Sequence, residues 1–456
     1  TLAITSPATV SVRCSVVNIT KKGMTIRLPG SIFDSSSVAP APAQWRVETL
    51  LGRAVLRVGA GTFDLATGRR IGELAPEELR EIAADYGRRH GLGEPRRIDL
   101  IDVDQWTIQT AGRNRPAYLV ELDDEAGTQL YVSGASGEVF QDTNRRERVL
   151  SWLGAIPHWL YPTVLLRNGP LWAEVVIWTS LLGTFLAATG LYVGVARLRR
   201  GRDGRLGSPF RGWWYWHHVT GLVFGVLTLT WVFSGLLTMS PWGVLEGTGA
   251  RDYVATARGA ATWRDVKDLL ANLPNALGHG PFVQVSAAVL GDRLHAVAFD
   301  RDGNRLRFDA AGEPAPLDVG EIDAAVARIG VPVAEARLLE REDSYHYAHK
   351  NEAELPIYRV ILDDAQRTRL YVSPTTGALR GVDATSRVSR WLRVGLHDFD
   401  FAGLRMRPVW YVAVGALLVG VTLTCGIGTW LALKRVRRDV RSACRRWRRP
   451  AGSAAA

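Results

Sequence analysis

The chain has 456 residues, 47% of them apolar, and a formal net charge of +11, which leaves room for two or three domains. An excess of that size raises nucleic acid as a partner, but much of it is confined to Arg197 to Arg211 and Lys434 to Arg449, each directly after a long apolar run. No nucleic-acid reading module accompanies it, so no nucleic-acid partner is expected. Cys14, Cys425 and Cys444 make neither a disulfide framework nor a zinc pattern.

Residues 1–44 form an irregular N-terminal segment rich in Ser, Thr, Pro and Ala. Residues 45–148 read as a small α+β domain. Pro76 to Tyr86 has Pro at a helix start, acids in the first turn and Leu79, Ile82, Ala83 and Tyr86 at helical spacing. Tyr118 to Asp123 and Gln129 to Ser133 read as strands before a Ser136-Gly137 turn. Residues 149–197 hold an interfacial segment and a first membrane span, because Leu171 to Ala196 carries only Glu174 as a charge. After the basic loop 198–212, residues 213–242 hold a second span. Residues 243–386 hold a larger α+β domain, with helices at Trp263 to Leu270 and Gly320 to Ile329, strands at Ile357 to Leu362 and Arg369 to Ser373, and a turn at Thr376-Gly377. Residues 387–434 repeat the interfacial segment and span, and 435–456 form a basic tail. His218 to Trp242 and Val409 to Leu433 carry no Asp, Glu, Lys or Arg, and each window exceeds the ~20 apolar residues a spanning helix needs.

Lys and Arg crowded into one loop and one tail beside the spans place both inside under the positive-inside rule, and the α+β domains therefore outside. Those domains must be exported, so a leading hydrophobic segment is expected ahead of Thr1.

Much of the chain is written twice. Tyr118, Asp123, Asp124, Thr128, Leu130, Tyr131, Val132, Ser133 and Gly137 recur in order and spacing at Tyr358, Asp363, Asp364, Thr368, Leu370, Tyr371, Val372, Ser373 and Gly377. Trp152 and His158, followed by Pro170-Leu171-Trp172, recur as Trp391 and His397, followed by Pro408-Val409-Trp410. The pattern is an internal duplication. It gives His158 and His397 equivalent places, from which a pseudo-two-fold axis would bring them to one metal. The second copy runs span, domain, span, so a full-length relative is expected to have four spans where this chain has three.

The Tyr-Val-Ser-x-x-Ser/Thr-Gly hairpin after a short helix resembles the PepSY module, and its placement between spans resembles the PepSY-associated transmembrane family of bacterial inner-membrane proteins. Trp216-His217-His218-Val219-Thr220-Gly221, followed by Trp231 and Ser234-Gly235, resembles that family's His-x-x-x-Gly span. The resemblance implies a membrane α-helical bundle with two α+β PepSY-like external domains in the bacterial plasma membrane. It also implies, for some members, haem-containing reductases that deliver electrons to ferric siderophores.

The histidines suit that chemistry, since neutral imidazoles from separate elements ligate haem iron axially. His158 and His397 are expected at an outer haem b. His217 or His218 would supply half of an inner site; neighbours on a helix point about 100° apart, so the two are not opposite ligands of one iron. His90, His279 and His295, without repeat counterparts, are expected on the surface, as are His346 and His349. Glu174 reads as an ion ligand or a snorkelling carboxylate, and Asp398 and Asp400 lack first-copy matches.

No G-x-G-x-x-G after a strand and no P-loop is present, so electrons would come from quinol or a partner reductase. The alternative is a membrane-anchored regulatory protein restraining an external peptidase without any cofactor. A transporter built on inverted repeats is disfavoured, because both copies share one topology and few polar residues line the spans.

Overall fold

The computed structural model describes residues 41, 44–59, 61–201, 204–347, 352–404 and 407–447. The expected irregular segment lies outside these residues apart from Ala41 and Gln44, as do Cys14, His349 and the end of the basic tail. In chain order the first half contains β1 (Trp45–Leu50), β2 (Arg53–Val58), β3 (Gly61–Asp64), α1 (Pro76–His90), β4 (Pro95–Ile101), β5 (Ala117–Leu122), β6 (Gln129–Ser133), β7 (Val139–Thr143), α2 (Arg145–Leu153) and α3 (Ala155–Trp159). There follow α4 (Gly169–Ala196), α5 (Trp213–Thr238), α6 (Trp263–Ala271), β8 (Gln284–Leu290), β9 (Arg293–Phe299), β10 (Arg305–Phe308) and α7 (Val319–Ala327). The chain continues through β11 (Val333–Leu339), β12 (Ile357–Leu362), β13 (Arg369–Val372), β14 (Leu379–Val382) and α8 (Arg407–Trp447). Two units result: an α+β unit, residues 4–168 and 247–387, and a helical unit, residues 169–246 and 388–456.

Two distant hairpins build the centre of the α+β unit. Leu51 and Gly52, and Gly291 and Asp292, all have positive φ. This is the two-residue turn whose twist matches that of paired strands, and it joins β1 to β2 and β8 to β9. The hairpins meet along β1 and β8, antiparallel, with Val47 opposite Val285. The outcome is one six-stranded sheet in the order β10-β9-β8-β1-β2-β3. Trp45, Val47, Leu56, Val285 and Phe308 bury one face against Val266, Leu269 and Leu270 of α6. That helix starts where its sequence predicts, because Thr262 and Asp265 satisfy each other's backbone N–H groups in a capping box. The sequence suggests two separate external domains; the shared sheet joins them.

Two four-stranded antiparallel meanders flank this centre, β4-β5-β6-β7 and β11-β12-β13-β14. Leu79 and Ile82 of α1 pack on Val120, Leu130 and Val132; Ile322 and Val326 of α7 pack on Val360, Leu370 and Val372. The registers correspond, Val120 facing Leu130 and Val360 facing Leu370. So do the polar devices. Asp104 accepts the Tyr131 hydroxyl at 2.8 Å and the N–H groups of Trp106 and Thr107. Asp343 accepts the Tyr371 hydroxyl at 2.8 Å and the N–H groups of Tyr345 and His346. Burial pushes the Asp343 carboxyl up, but those donors and Arg359 outweigh it and hold the group below its usual range.

In the helical unit, α4, α5 and α8 are long and apolar enough to cross a membrane. Thr179, Thr184, Thr189 and Thr228 return their hydroxyls to carbonyls one turn back in the same helix, which hides polar groups that lipid would not solvate. Glu174 accepts the Trp178 indole N–H at 2.9 Å, one turn along its own helix. α8 runs past its apolar part into the basic tail. In the basic loop, Arg199–Arg200 and Leu206–Gly207 pair as a short hairpin.

Candidate metal-ligand histidines

His217 and His218 are adjacent in the second turn of α5, and the helix turns them to different neighbours. His218 is buried and both its ring nitrogens are engaged: Nε2 lies 2.8 Å from the Gly194 carbonyl and Nδ1 2.9 Å from the Ser208 hydroxyl. A carbonyl only accepts, so Nε2 carries the proton and the Nδ1 lone pair takes the Ser208 hydroxyl. A metal would have to displace one of these bonds.

His217 is arranged otherwise. Its Nδ1 lies 3.3 Å from the Thr424 carbonyl of α8, so the proton is on Nδ1 and the lone pair on Nε2. A hydrogen bond from the second ring nitrogen to a carbonyl is what orients a ligating imidazole and raises its basicity. Gly428, one turn along α8, makes room for the ring: a Cβ there would stand 2.8 Å from His217 Cε1.

His397 lies at the other end of α5. Its Nδ1 is 3.2 Å from Ser234 Oγ, and that hydroxyl already donates to the Trp231 carbonyl at 3.1 Å. Ser234 therefore accepts from Nδ1–H. Here too a glycine admits the ring, since a Cβ on Gly235 would stand 3.3 Å from His397 Cε1. The backbone that presents His397 is a π-helical turn, Arg390–Gly395, followed by Leu396–Asp398 and a left-handed Phe399. Arg390, buried, donates to the Asp400 carbonyl at 2.8 Å, and Arg393 donates to Ser240 Oγ and the Val244 carbonyl. Ser234 lies seventeen positions after His217 on α5, a rise of about 26 Å, so the two imidazoles mark opposite ends of a span.

His158 belongs to the α+β unit, exposed on α3. Its backbone repeats that of His397: two residues on, Leu160 is left-handed as Phe399 is. His90 and His279 are exposed, as expected. His346 is half-buried, stacked on Tyr371 with Nε2 at 2.8 Å from the Glu354 carbonyl. His295 departs from the expectation of a surface residue. It is 3% exposed in β9, and burial, with Arg307 and Arg293 nearby and only partly offset by Glu321, pushes its pKa down to about 4. Among the described residues no group of three or more His, Cys, Asp or Glu converges.

Sequence reasoning ranks the histidines but misses their partners Thr424, Gly428, Gly194 and Ser208, which no spacing rule connects to them. Ser234-Gly235 is visible as a motif, though its contact with His397 is not. Compared with family models, curated proteins and solved structures, the chain matches none. Its class therefore rests on its own features: three helices long and apolar enough to span a membrane, joined to an α+β unit of antiparallel sheets.

Proposed function

We propose that the chain is a b-type haem protein of the bacterial plasma membrane that moves electrons across the bilayer to an external acceptor, a ferric siderophore or similar chelate. In this reading it is a duplicated member of the PepSY-associated transmembrane family. The observation that carries the proposal is the shared state of His217 and His397. At either end of one membrane-length helix, each sets its Nδ1 against a protein oxygen. His217 is preferred to His218, whose nitrogens are both engaged.

Haem, when bound, supplies one-electron chemistry at a potential tuned by its ligands. The chain's own residues do the rest. Thr424 and Ser234 take the Nδ1 contacts, and Gly428 and Gly235 admit the rings. Quinol or a partner reductase would supply electrons on the side of the Arg-rich loop and tail. The positive-inside rule makes that side cytoplasmic. The β1–β8 ladder supports one common side for both halves of the α+β unit.

The test is the visible spectrum of the purified protein in detergent. A reducible Soret band of b type is expected, lost from the outer site in His397→Ala, lowered in His217→Ala and retained in His218→Ala; His158→Ala reports whether that residue supplies the second outer ligand. A protein that stays colourless after haem reconstitution would falsify the reading and favour a membrane-anchored regulator of an external peptidase.

A further inference from the structure

The two four-stranded meanders of the α+β unit begin on matching edge strands. Among the described residues β4 pairs with β5 alone and β11 with β12 alone, each with a bulge between its first and third residues. Through these inner partners the edges correspond: Arg97 and Glu335 face Glu121 and Ile361, and Asp99 and Arg337 face Leu119 and Arg359. Their outer sides do not correspond. Pro95 gives β4 a residue with no N–H to offer a further strand, and Arg80 of α1 donates to the Pro95 carbonyl at 2.7 Å. Neither device is found on β11 among the described residues. Val333 to Leu338 are all exposed, with Val333 and Leu338 each at 47%, and only Leu339 of the strand is buried.

An edge that displays unpaired N–H and C=O groups is a template for another extended chain, and the sequence of β11 selects which. Val333-Ala334-Glu335-Ala336-Arg337-Leu338-Leu339 is self-complementary about Ala336. With a second β11 laid antiparallel and Ala336 opposite Ala336, each Glu335 faces an Arg337, each Ala334 a Leu338 and each Val333 a Leu339. Opposite charges directly across an antiparallel pair stabilise it, and like charges oppose it. A two-residue slip sets Glu335 against Glu335 or Arg337 against Arg337, so the register is fixed. β4 is no substitute, because Ile98 opposite Ala336 would set Arg97 against Arg337 and Asp99 against Glu335. The chain already holds one joint of this kind: β1 meets β8 antiparallel with Arg46 opposite Ser286, and Ser286 follows Arg46 at the same offset at which Tyr358 follows Tyr118.

We propose that β11 is a docking edge for a second copy of this chain, and that the two copies join through an antiparallel β11–β11 ladder centred on Ala336. Such a contact is isologous, as a two-fold dimer requires. Glu335 keeps its bonds to Arg337 and Arg359 of its own copy, at 3.1 and 2.6 Å, and gains the second copy's Arg337. A ladder of seven residues is small beside the interfaces of permanent dimers, so the dimer forms where copies are concentrated. The proposal concerns an interaction surface and does not rest on the haem reading.

The test uses the full chain in phosphatidylcholine vesicles, with Cys14, Cys425 and Cys444 changed to Ser and single cysteines placed at exposed positions. Residues directly opposed in an antiparallel pair stand about 4.5–5.5 Å apart at Cα, within the range of a disulfide. Under a mild membrane-permeant oxidant, Ala336→Cys should therefore give a covalent dimer about tenfold faster than Arg88→Cys on α1, the advantage of a held pair of thiols over a colliding one. Ala334→Cys and Leu338→Cys should each stay monomeric alone and cross-link to one another when the two variants share vesicles. Arg337→Glu, which brings carboxylates together on either side of Ala336, should slow the Ala336→Cys reaction to the Arg88→Cys rate. Equal rates at positions 336, 334 and 88, a dimer through 334 or 338 in an unmixed sample, or no effect of Arg337→Glu would overturn the proposal. None of these outcomes bears on the Soret band, so the two readings fail separately.

Discussion

The hydrogen bond made by a ring nitrogen fixes which nitrogen of an imidazole carries the proton, and in this chain the partners of that bond separate two adjacent histidines. His217 and His218 are indistinguishable in the sequence except by their distance from Gly221. The Thr424 carbonyl and the space over Gly428 mark one; Gly194 and Ser208 occupy the other. All four partners lie on other segments, so no local pattern announces them. His295 makes the same point from the opposite side. Without a repeat counterpart it reads as surface, yet β9 is buried on both faces and His295 lies on the one away from Leu294 and Ala296, near Arg307 and Glu321. It is held neutral there, since its folded pKa is about 4 against an ordinary 6.5. A depressed pKa contributes stability that is complete above pH 6.5 and is lost as pH falls toward 4. The carboxylates held low, among them Asp292, Asp300 and Asp343, lose theirs only below about 4. The protection factors of the β9 amides, with the intrinsic pH dependence of exchange divided out, should therefore fall between pH 6.5 and 4.5 in the native chain and stay level in His295→Leu; equal profiles would count against a buried neutral ring.

Elements were largely legible. Gln129 to Ser133 and Ile357 to Leu362 form strands with the bounds their alternation suggests. The helix from Pro76 runs one turn beyond Tyr86, to a left-handed Gly91 that ends it. The three apolar windows all became helices, because a long run without charge has few other stable forms in an apolar phase. The six-stranded sheet was not legible. Its decisive contact pairs Val47 with Val285, and periodicity identifies a strand without naming its neighbour. Leu56, fully buried in this core, tests how much the joint matters. Leu56→Ala should cost about 2–5 kcal/mol, measured as a shift of the urea midpoint with the slope unchanged, and both halves of the α+β unit should become protease-sensitive together. Sensitivity confined to the first half would mean that the halves fold separately.

At the scale of the whole molecule, the chain alternates between two environments, and its cysteines report on one of them. Cys444 lies in the basic extension of α8 and is exposed. If the Arg-rich loop and tail share the cytoplasmic side, a membrane-impermeant maleimide should label Cys444 in inverted vesicles and not in right-side-out spheroplasts, while a cysteine replacing Arg88 on α1 should show the reverse. Labelling of both positions from one side would refute the topology. That expectation rests on the Lys and Arg that follow two of the three apolar runs, which the positive-inside rule reads as cytoplasmic whatever the fold of the segments between.

The strand pairing at the centre of the α+β unit also sets a timetable. β1 finds its partner β8 only after more than two hundred further residues, two apolar helices among them, have been synthesised. At roughly 5–20 residues per second, the hairpin holding Trp45 and Val47 waits about 10 to 50 s with its edge open. During translation that edge is a template for any other extended chain, so the yield of correctly assembled protein should depend on elongation speed and on whatever shields the nascent first half until the second arrives.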